Sequence, residues 1–173
     1  MAEFIEVLNG RNSVRSYKAE ALTEEQIAEL IRTGLQAPTA RNAQEVRITA
    51  VSTAEPVIGA IQKVLNPDAE KNFYYDAPVL FVLSGRDDFK WSMLDAGIAV
   101  ENMHLAAKAM GLGSVIIGCI DRAVLDDKTG TFNAALGIPE GYSFKIALAA
   151  GVPAAEKVPH TIDTEKNSGV IGL

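Results

Sequence analysis

The stretch from Trp91 to Gly111, WSMLDAGIAVENMHLAAKAMG, constrains the fold more than any other. At helical spacing it is apolar nearly all the way round, whereas a surface helix of a monomer shows an apolar stripe about 100° wide and a polar remainder. Its polar residues are few and grouped: Glu101, His104 and Lys108 share one face, and Asp95 and Asn102 lie seven apart on another. Charge interrupts it too often for a bilayer span, which needs about 20 predominantly apolar residues. The helix therefore belongs in a soluble core, and a domain of 173 residues encloses it fully only if a second subunit covers what its own sheet leaves bare. A central helix in a monomer is the alternative. Gly111-Leu112-Gly113-Ser114 stops the helix, and Val-Ile-Ile-Gly-Cys-Ile-Asp then reads as a buried strand that breaks at Gly118.

The length allows one domain with a real core, and 48% of the residues are apolar. A formal net charge of −6, with sixteen Lys and Arg that form no run, argues against nucleic acid, whose binders carry a basic face. One cysteine rules out an intrachain disulfide framework and suits a reducing compartment. Met1 to Gly10 lacks a basic n-region and an apolar h-region, so the expected location is the cytoplasm, with no membrane partner. No metal-ligand spacing, nucleophile triad or phosphate-binding loop of the P-loop type is present.

Along the chain, Glu3 to Leu8 predicts a short amphipathic helix stopped by Asn9-Gly10. Arg11-Asn12-Ser13-Val14-Arg15-Ser16-Tyr17 follows, in which residues 11, 13 and 15 share one side if the segment is extended. Two guanidiniums and a hydroxyl then converge, and the planar fork of Arg suits phosphate; a solvated strand edge is the plainer reading. Thr23-Glu24-Glu25-Gln26 is a capping box that starts a helix with Ile27, Leu30, Ile31 and Leu35 on its buried face. The loop Pro38-Thr39-Ala40-Arg41-Asn42-Ala43-Gln44 carries enough amide and hydroxyl groups to bond a planar heterocycle or a sugar chain, or else to satisfy its own turn. Strands are predicted over 47–52, 79–83, 114–118 and 144–152, and helices over 55–65 and 125–136. Asn72-Phe73-Tyr74-Tyr75-Asp76 is an aromatic cluster that either caps a flat ligand or covers the end of the sheet. Residues 153 to 173 form a tail too sparse in apolar residues to fold alone, predicted to cross to a partner with residues 169 to 173 as an added strand.

The chain resembles the nitroreductase family of flavoproteins over nearly its whole length. The resemblance rests on Arg11-x-Ser13-x-Arg15-x-Tyr17, Ala37 to Gln44, Tyr75-Asp76-Ala77-Pro78, Asp95-x-Gly97 with Glu101-Asn102-Met103, Gly111-Leu112-Gly113-Ser114, Leu136-Gly137-Ile138-Pro139 and Gly151-x-Pro153. It implies an α+β layered sandwich, a central and mostly antiparallel sheet flanked by helices, in an intertwined homodimer with FMN at the interface. Residues 1–173 would be one FMN-binding domain, with 153–173 a tail to the partner subunit.

By the same resemblance, Arg11, Asn12, Ser13 and Arg15 would hold the FMN phosphate. Pro38, Thr39, Ala40, Asn42 and Gln44 would come from the other subunit to contact the ring and ribityl chain. Ile117, Gly118 and Cys119 would lie beside the flavin, with Gly118 and Cys119 acting through backbone N–H groups. A catalytic Cys119 thiol is the competing idea, and no His or Asp stands near it in sequence. The chain departs from the family pattern at Gln44-Glu45-Val46, where Gln-Pro-Trp is common, and lacks the basic residue usual after Gly151-x-Pro153, for which Lys157 or His160 could substitute. The implied activity is transfer of electrons from NADH or NADPH to a nitroaromatic, quinone or similar small-molecule acceptor, the flavin and not a catalytic side chain carrying the chemistry. A flavin carrier or redox sensor without turnover, and a specialised reaction such as reductive dehalogenation or a dehydrogenation, are the alternatives.

Overall fold

The computed structural model describes residues 4–159, 161–163, 166, 168 and 169. In chain order the elements are α1 (Phe4–Gly10), α2 (Glu24–Leu35), a single 3-10 turn (Ala40–Asn42), β1 (Arg47–Ser52), α3 (Pro56–Leu65), β2 (Val79–Arg86), α4 (Ser92–Ala109), β3 (Gly113–Ile117), α5 (Ile120–Asp126), α6 (Thr131–Ala135) and β4 (Tyr142–Gly151). The strands form one sheet in the order β1-β2-β4-β3, antiparallel at every pairing. The expected helix-flanked α+β sandwich is what the chain builds.

The unbroken apolar run of β2 follows from its central place, because both of its faces meet helices. Leu80 and Val82 pack with Ile58, Ile61 and Ile120 from α3 and α5, while Val79, Phe81 and Leu83 face Leu30 of α2 and Val100 and Met103 of α4. In β4 the alternation is carried by small residues, Ala147 and Ala149 on the first face and Leu148 and Ala150 on the second. The long helix α4 meets that second face through Ala96, Ala99, Met103 and Ala107. Its opposite side is bare in the single chain: Met93 and Leu94 are exposed by 59% and 55%. The chain's own sheet and helices thus cover one side of α4 and leave these two apolar side chains exposed.

Local chemistry sets the boundaries. Thr23 Oγ1 accepts from Gln26 N, and Gln26 Oε1 accepts from Thr23 N in return, closing the capping box that starts α2. The single helix predicted over 125–136 is instead two, α5 and α6. Between them Gly130 adopts φ +71°, and the Asp127 carboxylate accepts from the N–H groups of Thr129 and Phe132. A side chain that binds backbone donors in this way competes with a continuous helix and caps the next one. The tail also differs from expectation at its start. Pro153 bridges to Tyr17, and Ala154 N donates to Ser16 O at 3.0 Å, so residues 153 and 154 are held by their own chain. The strand expected at 169–173 falls mostly outside the described residues.

β3 is an edge strand, and the segment after α1 closes that edge through a parallel bridge of Ser13 to Ser114. Close approach there requires Gly113, since an added Cβ would lie 2.9 to 3.1 Å from Val14 Cβ and its two methyls. Gly113→Ala should therefore destabilise the fold by about 1–3 kcal/mol through overpacking against a stiff β-branched side chain. Gly59→Ala, in an open position on α3, should stabilise by up to about 1 kcal/mol. Urea denaturation of the two variants checks both signs.

Candidate functional site

α1 ends at Gly10, and the chain then runs along β3 and the end of β4. Val14 N donates to Ser114 O at 2.9 Å, and Lys18 N donates to Val152 O at 2.9 Å. Between these points the buried Tyr17 donates its hydroxyl hydrogen toward Val14 O at 2.8 Å, with Ala149 O also within 3.4 Å. Burial raises this phenol well above its ordinary range, so it remains a donor. The segment is held at a fixed height against the sheet, and Arg11 and Asn12 are thereby carried to the mouth of a cavity of about 400 Å³. Its wall continues with His104 and Lys108 of α4, Ser114 of β3 and Lys157 of the tail.

The polar groups at this wall interlock. Arg11 Nη1 lies 3.3 Å from His104 Nε2, and His104 Nδ1 lies 2.5 Å from Ser114 Oγ. A guanidinium only donates, so Nε2 accepts and the proton sits on Nδ1, which donates to the serine. Arg11 also pairs with Glu101 at 3.4 Å. His104 is buried, and burial first and the Arg11 charge second push its pKa down to about 4, leaving the imidazole neutral near pH 7. Burial raises the Glu101 carboxyl, with Arg11 opposing it. Lys157 Nζ donates to Ser13 O at 2.9 Å while Asn12 Nδ2 donates to Lys157 O at 3.0 Å, a reciprocal clasp of tail and segment. Asn12 Oδ1 is buried and has no protein donor.

The other predicted residues are distributed as follows. Arg15 does not line this cavity; its guanidinium lies 5.8 Å from the centre of the Tyr75 ring. The expected convergence of 11, 13 and 15 fails because Arg11 still continues the α1 hydrogen bonding, its N–H donating to Val7 O at 2.9 Å, so the segment is not extended from its first residue. The 38–44 loop lies near the start of α4, where both carboxylate oxygens of the buried Asp95 accept from Ala40 N at 3.0 Å. Gln44 N donates to Thr39 Oγ1 and Gln44 Nε2 to Asn42 Oδ1, and Arg41, Asn42 and Gln44 all have positive φ. Asp95 and His104 are nine residues apart, so the loop anchor and the Arg11 cavity are separated by about 13 Å along α4. Glu45 turns inward: it is buried and accepts from Arg86 N at 2.8 Å. Ile117, Gly118 and Cys119 close β3, with Gly118 and Cys119 exposed. The Cys119 thiol is raised above its ordinary value, chiefly by partial burial of its sulfur, which disfavours the nucleophilic thiolate. His160 lies outside the described residues.

Residues 8–152 match the nitroreductase family. The chain belongs to it. An FMN reductase (NADPH) of Bacillus subtilis is 31% identical over 89% of this chain and 67% of its own length. An NADPH-flavin oxidoreductase of Vibrio harveyi is 28% identical, covering 88% of this chain and 67% of the relative. Among solved structures, a nitroreductase with bound FMN from Bacteroides fragilis superposes with a TM-score of 0.88 at 22% identity, covering 99% of this chain and all of that one.

The donor set of this cavity fits a phosphate group: Arg11, Lys108 and Lys157 supply cations to its wall alongside Glu156, and Asn12 Oδ1 is a buried acceptor without a protein donor. The spacing of Glu101, His104 and Lys108 puts them on one helix face and does not connect them to Arg11. The spacing was the available signal; the partner, 93 residues away, was not legible. Asp95 as the anchor of the 38–44 loop was missed for the same reason.

His104 makes the fold sensitive to acid. Its native pKa of about 4 lies below the ordinary 6.5, so between these values the unfolded chain binds the proton and the native one does not. The stability it permits is complete above pH 6.5 and falls as pH drops toward 4, by on the order of 3 kcal/mol in total. Urea denaturation of flavin-free protein from pH 8 to 4 should show this slope, flattened in His104→Gln.

Proposed function

We propose that this chain is an FMN-dependent oxidoreductase that moves electrons from NADH or NADPH to a small electron-poor acceptor such as a nitroaromatic or a quinone. The observation that carries this reading is the cation-lined cavity beside Ser114, formed on the scaffold of a nitroreductase-family chain. The flavin and NADPH in the names of its relatives point the same way. Bound FMN supplies the redox chemistry by accepting a hydride and passing the electrons on.

The chain's own residues bind and orient. Arg11 and Asn12 would hold the phosphate, with Lys157 as the basic residue that completes the site; Ser13 is not in the cavity lining and serves through its carbonyl, which accepts from Lys157, while Arg15 lies by Tyr75. Gly118 and Cys119 follow the end of β3, are exposed, and would offer backbone N–H groups to the cofactor. Cys119 acts through its backbone, consistent with its raised thiol pKa. Pro38, Thr39, Ala40, Asn42 and Gln44 contact the ring and ribityl chain of the cofactor held by the other subunit, since within one subunit their loop lies near Asp95 and away from Arg11.

This reading requires a homodimer built on the bare side of α4. Support comes from the exposed Met93 and Leu94 and from two apolar hollows along that side, of about 800 Å³ and about 490 Å³. Residues 1–173 act as a single domain in it, and the exposed Val158 and Ile162 of the tail offer apolar surface to the partner. Among the described residues no helix is long and apolar enough to cross a membrane. With a single cysteine and an acidic balance, we place the protein in the cytoplasm, without nucleic acid or membrane as a partner.

The purified protein should show the visible absorption of oxidised flavin and should oxidise NADH or NADPH steadily when a quinone is added; flavin binding without turnover would remove the enzymatic reading. Arg11→Ala should weaken FMN binding by roughly tenfold to a hundredfold, the loss of a charge-assisted contact, and leave riboflavin nearly unaffected. Fluorescence titration with both flavins separates phosphate recognition from general damage. Leu94→Glu, which puts a charge into the proposed interface, should yield monomer at micromolar concentration in sedimentation velocity and lose FMN with it.

A further inference from the structure

We infer that His104 is the positioning residue for Arg11, holding the guanidinium toward the cavity through Nε2 while its Nδ1–H is fixed by Ser114. The inference rests on the phosphate reading above and adds to it a residue on α4.

Three observations carry it. His104 and Ser114 are both buried, 1% and 2% exposed, and their 2.5 Å hydrogen bond holds the imidazole in one orientation, while the donor-only Arg11 guanidinium fixes the tautomer with its proton on Nδ1. That tautomer presents a lone pair to Arg11 Nη1 at 3.3 Å. Ser114 is itself tied to the Arg11 segment, since its carbonyl accepts from Val14 N and it bridges to Ser13. Helix, strand and segment therefore meet at a single imidazole.

A neutral acceptor suits this position. Arg11 has a second partner in Glu101, but a carboxylate neutralises the guanidinium and competes with an incoming phosphate. A neutral imidazole holds the same group and leaves its charge available to the ligand. Pairing with Glu101 at the mouth and with His104 in the wall also leaves Arg11 fewer rotamers to lose when an anion arrives, which strengthens binding by preorganisation.

Two substitutions separate positioning from packing. His104→Asn retains a donor at the position of Nδ1 but is too short to reach Arg11, whereas His104→Gln places an amide oxygen where Nε2 was. Fluorescence titration of the full-length, flavin-stripped protein should give an FMN dissociation constant about tenfold higher for His104→Asn and within about threefold of wild type for His104→Gln, with riboflavin unchanged in both. Ser114→Ala deletes one oxygen and should weaken FMN several-fold, again sparing riboflavin, which provides the test if His104→Asn does not fold. FMN affinity equal to wild type in both His104→Asn and Ser114→Ala, while Arg11→Ala weakens it, overturns the inference and leaves the phosphate site standing. Equal loss of FMN and riboflavin in the His104 variants overturns it as well, by making the role one of packing. If Arg11→Ala itself leaves FMN affinity unchanged, the phosphate reading fails and the inference falls with it.

Discussion

The structure depends on how α4 lies across the sheet. Ala96, Ala99 and Ala107 face Phe81, Leu148 and Ala150, and side chains this small let the helix sit close to the strands. A close helix is a rigid ruler: Asp95 and His104 project from it nine residues apart, and the two polar regions of the molecule are spaced by its rise. One region is the 38–44 loop on Asp95, the other the cavity around Arg11 and His104. Within one chain the two regions lie about 13 Å apart along the helix. The fold leaves the apolar Met93 and Leu94 on the outer side of α4 exposed.

Burying polar side chains beside this helix has a cost, which is met in different ways. Asp95 takes a backbone N–H on its two oxygens, Ser92 donates to Arg86 O, and His104 is satisfied on both ring nitrogens. His104 escapes the desolvation of a charge by staying neutral. The consequence is a wall in which the positive charges of Arg11, Lys108 and Lys157 face the cavity without a further cation beneath them. Tyr17 plays the matching structural part, its raised phenol remaining a hydrogen-bond donor that fastens the Arg11 segment to the core.

Local signals were read correctly from the chain where they were chemically complete within a few residues. The Thr23 to Gln26 capping box needs only its own four residues, and β1 is bounded as its alternation predicts. The continuous apolar run at Val79 was legible as an interior strand because only a strand with helices on both faces has no polar alternation. The 125–136 helix failed because Gly130 and the Asp127 side chain override an otherwise helical pattern, and a pattern of apolar residues does not register a left-handed backbone. Residues 153 and 154 looked free for want of apolar residues, whereas backbone hydrogen bonds to the 16–17 segment hold them.

The site divides along the same line. By itself the sequence determined the residue types that a phosphate-bearing ligand requires, the family to which the chain is similar, and a central helix too apolar for one subunit to cover. Only the tertiary structure decided which of those residues meet: that Arg11 and Arg15 part company, that Lys157 clasps the Arg11 segment, that Glu45 turns inward to Arg86, and that His104 and Ser114 stand behind Arg11. Composition and spacing report what a few consecutive residues can do. Hydrogen bonds spanning 93 or 144 positions exist only once the sheet and α4 have brought their ends together.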